Sequence, residues 1–75
     1  MGDKKMIDFA NCEVVGERGT SLEIVVPLTK DGSRRKTVWI PRKMIGEESE
    51  CFDYDENRKG KLFIPEWLAK DRGLM

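Results

Sequence analysis

Two runs rich in β-branched and aromatic residues, Ser21-Leu22-Glu23-Ile24-Val25-Val26-Pro27-Leu28 and Arg35-Lys36-Thr37-Val38-Trp39-Ile40, flank the turn signal Lys30-Asp31-Gly32. That arrangement commits the middle of the chain to a β-hairpin, and the remaining segments must pack against it. Turn length decides which faces match. A two-residue Asp31-Gly32 turn opposes Ile24 to Trp39 and Val26 to Thr37. A three-residue Lys30-Asp31-Gly32 loop with Gly32 left-handed pairs Ile24 with Val38 and Glu23 with Trp39. The second register is preferred, because it gathers Leu22, Ile24, Val26, Leu28, Val38 and Ile40 on one face. Glu23, Val25, Arg35, Thr37 and Trp39 then share the other, and a slip of one residue reverses the exposure of Trp39.

A second hairpin is expected from Cys51-Phe52-Asp53-Tyr54-Asp55 and Lys61-Leu62-Phe63-Ile64, pairing Tyr54 with Leu62 and Phe52 with Ile64 and setting Asp55 opposite Lys61, around a loop near Asn57-Arg58-Lys59-Gly60. The first strand, roughly Ile7 to Glu17, changes phase between Ile7/Phe9 and Ala10/Cys12/Val14, which calls for a bulge near Asn11. Gly16 and Gly19 frame the turn that follows. Two prolines each sit directly after a strand and open a short helical piece. Pro41 begins a single turn stopped by Gly46. Pro65, as the first helical residue, begins a terminal helix with Glu66 in its first turn and Gly73 as its stop. So short a helix needs tertiary support. Trp67 and Leu68 are expected to dock on the sheet, with Leu74 closing the helix end against apolar neighbours.

The fold expected is mainly β, a five-stranded, strongly curved sheet or SH3-like/OB-like barrel with a short C-terminal helix. At 75 residues the chain is read as one domain, 1–75, with 1–5 a flexible N-terminal tail. A chain of this size hides about 60–65% of its unfolded surface, enough to fold alone but marginally. Its longest apolar run, Ile24 to Leu28, is far too short for a membrane span. The start carries neither a signal region nor a myristoylation pattern, since residue six is Met6. The expected setting is the cytoplasm, with no membrane contact.

The segments Val38-Trp39-Ile40-Pro41-Arg42-Lys43-Met44-Ile45 and Phe63-Ile64-Pro65-Glu66-Trp67-Leu68-Ala69-Lys70-Asp71-Arg72-Gly73-Leu74 carry a resemblance. Over roughly residues 20–75 the chain resembles small proteins of bacteriophages and prophages. These share a Trp-hydrophobic-Pro strand end and a later strand running into Pro-Glu-Trp-Leu-Ala. Those relatives often carry Ser where Lys43 stands. The resemblance implies a fold and a phage or prophage setting, and transfers no functional residue.

Catalysis is not expected. The chain holds no histidine, the commonest general base and metal ligand. Ser21, Ser33 and Ser49 sit in turns without a base, Tyr54 reads as an aromatic of the fourth strand, and Glu47 and Glu50 read as solvated surface. The Gly16-Glu17-Arg18-Gly19 segment lacks the helix and Lys-Ser/Thr ending of a phosphate cradle. Asp53, Asp55 and Asn57 have calcium-loop spacing, but Arg58 replaces the required glycine and Ile64 the closing glutamate. Cys12 and Cys51 match no metal spacing and read as buried free thiols, able to form a bridge under oxidising conditions only if their strands are neighbours. No cofactor or metal is expected.

Charge order carries more information than charge balance. The 14 basic and 14 acidic groups cancel, yet residues 30–43 hold six cations against Asp31 alone, and residues 44–57 hold six acids and no cation. Trp39 lies among Lys30, Arg34, Arg35, Lys36, Arg42 and Lys43. Trp39 with Val25, Pro27 and the neighbouring arginines has the aromatic-plus-arginine character of a protein-binding hot spot, for another protein or a second copy. Alternatively, the terminal helix covers this patch. The same Trp39 with Arg34, Arg35, Lys36, Arg42 and Lys43 also has the ingredients of a single-strand nucleic-acid platform. Both expectations compete with a plainer one, in which the basic and acidic blocks meet in space as surface pairs.

Overall fold

The computed structural model describes residues 5–75. Four strands, β1 (Met6–Arg18), β2 (Ser21–Pro27), β3 (Arg35–Pro41) and β4 (Lys59–Pro65), form one antiparallel open sheet in the order β3-β2-β1-β4. A 3₁₀ turn at Arg42–Met44 follows β3, and helix α1 (Glu66–Asp71) follows β4. The central hairpin takes the expected register, with Ile24 opposite Val38, Glu23 opposite Trp39 and Gly32 at φ 74°. Asp31 braces the loop, its Oδ1 accepting the Thr29 hydroxyl at 2.7 Å and the Ser33 N–H at 3.0 Å. Leu28 lies beyond the paired residues and is exposed, not part of the apolar face.

The phase change in β1 is absorbed as expected. Its register with β4 shifts between Phe9 and Cys12, and Asn11 takes φ 59°, so Phe9, Cys12 and Val14 all turn toward the core while Ala10 is exposed. A second bulge, between Val14 and Gly16, leaves Val15 on the surface. Leu22, Ile24, Val26, Val38, Ile40, Leu62 and Ile64 complete one buried face, covered by Leu68 and Ala69 of α1 and by Leu74 just beyond its end. Full burial of each such aliphatic side chain contributes about 1.5–3 kcal/mol. At the end of α1, Leu74 N–H bonds to the Ala69 carbonyl (2.8 Å) and Gly73 N–H to the Lys70 carbonyl (3.1 Å), with Gly73 at φ 76°. This is the glycine stop with its apolar contact. Trp67 does not dock. One helical step from Leu68 carries it to the solvent side, where it is 57% exposed, and Pro65 is the N-cap rather than the first helical residue.

The expected fifth strand is absent, and with it the closed barrel. The apolar/acidic alternation of residues 51–55 belongs to a loop. There the Asp53 Oδ1 accepts the N–H groups of Asp55, Glu56 and Asn57 at 2.9–3.0 Å and coils the chain. Phe52 and Tyr54 are exposed instead of facing Ile64 and Leu62, Asp55 does not pair with Lys61, and the Arg58 guanidinium lies 5.9 Å from the Tyr54 ring centre. Of the expected N-terminal tail, Lys5 is tied down by the Glu66 N–H on its carbonyl (2.8 Å), and residues 1–4 lie outside the described residues. Among the described residues no helix is long and apolar enough to cross a membrane.

Candidate binding face and sheet edges

Trp39 stands on the face of the sheet away from α1, opposite Glu23 and 40% exposed. The helix does not cover it. Its neighbours follow from the period-two register. Val25 lies half-buried between Glu13 and Thr37, and Arg35 is exposed opposite Pro27. A shallow depression of about 240 Å³ beside the indole is lined by Arg18, Ser21 and Trp39. A larger open depression, about 620 Å³, lies at the far side of the sheet among Glu50, Asp55, Glu56, Asn57, Arg58 and Lys59. Its lining holds no aromatic or apolar anchor, whereas the depression beside Trp39 does.

The basic block does not converge on Trp39. Arg34 sits in the hairpin loop, its N–H on the Thr29 hydroxyl at 3.3 Å. Lys36 pairs with Val26 in the phase of Val38 and Ile40, and its ammonium lies against Gly73 on the opposite face from Trp39. Arg42 is in an ion pair with Glu17, and Lys43 is exposed on the 3₁₀ turn. Only Arg35 shares Trp39's face and strand. Two contributors escaped the sequence reading. Arg72 reaches from the end of α1 to place its Nε 2.9 Å from the Trp39 carbonyl, and Arg18 approaches the indole from β1. No local pattern signals either, since both depend on which elements become neighbours.

The two charge blocks come together where Arg42 and Glu47 line a shallow depression with Phe52, and not as ion pairs. The Lys30–Lys36 hairpin lies at the β3 edge. The acidic segment runs along the β4 edge, and the ion pairs among the described residues, Arg42–Glu17 and Arg72–Asp71, do not join them. That segment is bonded to β4 group by group. Gly46 N–H reaches the Phe63 carbonyl (2.7 Å), the Ser49 hydroxyl accepts Phe63 N–H (2.8 Å), Glu50 N–H reaches the Lys61 carbonyl (2.7 Å) and Glu50 Oε1 accepts Lys61 N–H (2.9 Å). Ser49 and Glu50, read from sequence as turn and solvated surface, thus close this edge.

At β3 the opposite holds. Leu28 N–H bonds to the Arg34 carbonyl (2.7 Å), so Lys36, Val38 and Ile40 continue the bonded pairs with β2. Arg35, Thr37 and Trp39 therefore turn their N–H and C=O groups outward. Among the described residues only the Trp39 carbonyl finds a partner there, Arg72.

Four groups away from this face have shifted acidities, two in loops and two in the core. Asp53 is held below the usual carboxylate range by the Asn57 backbone and side-chain amides, then by Glu56 and Asp55. Asp31 is lowered to about 2 by the Ser33 N–H and the Thr29 hydroxyl. Cys12 and Cys51 are both free and buried. Cys12 opposes Gly60 while the Cys51 Sγ and N–H approach the Lys61 carbonyl, so the thiols are neighbours. The neighbouring Cys51 thiol, with burial, pushes Cys12 up, while Cys12 draws Cys51 down against the opposing effect of burial. Comparison with family models, curated proteins and solved structures finds no match for this chain.

Proposed function

We propose that the protein is a non-catalytic binding module of phage or prophage origin, acting in the cytoplasm through protein–protein contact at the Trp39 face. The observation that carries this reading is the half-exposed indole on the face that α1 leaves bare. A large, rigid aromatic beside arginine gives much contact area at little entropic loss. Trp39→Ala is expected to abolish partner capture by cross-linking in host extract. The thermal midpoint should move by no more than about 4–8 °C, the equivalent of about 1 kcal/mol in a domain this size. A large loss of stability with retained capture refutes the assignment.

A second reading, single-stranded nucleic-acid binding, is favoured by Arg35, Trp39 and Arg18 lying together on one face. The scatter of Lys36, Arg42 and Lys43 off that face weighs against it. Failure to bind a single-stranded oligonucleotide at about 50 mM salt, where phosphate contacts are strong, eliminates it.

A further inference from the structure

We infer that the open edge of β3 takes an extended acidic segment of a partner protein as an added strand. This inference rests on the protein-contact reading above and names the partner's chemistry. Strand addition needs a row of free ladder groups beside side chains that select the incoming sequence. Arg35, Thr37 and Trp39 supply the row: three N–H donors and two unpartnered carbonyls, ending at Pro41, which has no N–H. Their side chains all stand on the outer face, so residues of the incoming strand opposite Arg35 and Trp39 meet a guanidinium and an indole.

Charge specifies the rest. Lys30, Arg34, Arg35 and Lys36 crowd the start of the edge and Arg72 crosses its end, with Asp31 held inside its own loop. An acidic strand finds the cation cluster at the start of the edge, and at its end Arg72, whose guanidinium is shared with Asp71. As it pairs with Trp39, Arg72 exchanges the Trp39 carbonyl for a carboxylate of the newcomer. A second copy of this chain is disfavoured by the same geometry. Antiparallel pairing about Thr37 sets the basic start of one copy's edge against the Arg72 end of the other, so that like charges meet. The chain's own acidic segment is committed to β4.

The test is an amide NMR titration at low salt with the peptide Thr-Glu-Val-Glu-Thr-Glu-Val, blocked at both ends, and its Lys-for-Glu counterpart. Shifts confined to Arg35–Trp39 and the facing residues of β2 are expected for the acidic peptide alone. Arg35→Glu with Lys36→Glu should weaken it at least tenfold and admit the basic peptide. Thr37→Pro removes an outward donor that no internal bond uses, so it should abolish binding. N-methylation of the peptide amides that face β3 should do the same in the unaltered protein, independently of how the variant folds. Binding that survives both changes, shifts outside β3 and the facing residues of β2, equal binding of the basic peptide, preference for an oligonucleotide, or self-association through this edge each overturns the inference. If Trp39→Ala loses the natural partner while Thr37→Pro keeps it, the strand addition fails and the protein-contact reading stands. If neither variant affects the partner, both fail.

Discussion

The two edges of the sheet have the same backbone chemistry and opposite fates. At β4, the outward N–H and C=O groups of Lys61 and Phe63 are all taken by Gly46, Ser49 and Glu50. At β3, the corresponding groups of Arg35, Thr37 and Trp39 are left open except for one carbonyl under Arg72. Exposed edges invite association, and chains normally blunt them with charge, proline or a covering loop. This chain covers one edge with its own acidic loop and leaves the other rimmed by cations. The difference teaches that the acidic segment is taken up in covering β4, where it lies beside Arg58, Lys59 and Lys61, while the cations of the hairpin rim an edge that no described segment covers.

The largest effect is expected from breaking the covered edge at its tightest point. Gly60 has φ 131°, and a Cβ there would fall 2.5 Å from Glu50 Cβ. Gly60→Val forces a β-branched residue into that conformation and lifts the 46–51 segment off β4. A loss of about 2–4 kcal/mol in chemical denaturation is expected, and a loss below about 1 kcal/mol would mean that the cover is incidental. Ser49→Ala follows. It removes the buried hydroxyl that accepts the Phe63 N–H and should cost about 1–3 kcal/mol. The amides of Lys61 and Phe63 should then exchange as fast as those of Thr37 and Trp39. In the unaltered protein they should exchange far more slowly.

How much of this contrast was legible follows from what each element depends on. The β2–β3 register, the Asn11 bulge and the Gly73 stop were readable because side-chain period, phase conflict and cap residues are local. The side on which Trp39 would stand followed from the register alone, although nothing local showed whether α1 would cover it. The false fifth strand arose because Phe52 and Tyr54 alternate like a strand. The deciding interaction, one carboxylate on three amides, leaves no periodic trace. Trp67 and Leu68 were both expected inside, although adjacent helical residues lie about 100° apart and a narrow helix buries only one stripe. Ser49, Glu50, Arg18 and Arg72 act on residues far along the chain, and their roles became visible only once the strands had neighbours.

The smallest effect, and the one that compares both edges in a single experiment, is acid titration. Each edge is flanked by a loop held on one aspartate: Asp31 beside β3 and Asp53 beside β4. Folding lowers both pKa values, Asp31 from 3.8 to about 2 by the Ser33 N–H and the Thr29 hydroxyl, and Asp53 chiefly by the amides of Asn57. A carboxyl group that is more acidic when folded stabilises the native state fully above its unfolded pKa. That contribution fades as pH falls through the folded value. Stability should therefore be level above about pH 4 and decline gently toward pH 2, by a small amount because both groups lie at the surface where solvent screens them. Asp31→Asn should remove the decline at the hairpin loop and leave β4 untouched. Asp53→Asn should loosen residues 53–57 already at neutral pH and carry the Lys61 and Phe63 amides with it, since that loop leads from the edge-covering segment into β4. If acid frees the β3 hairpin and the β4 cover together in the Asp31→Asn protein and in the Asp53→Asn protein alike, the two edges are not independent and the comparison fails.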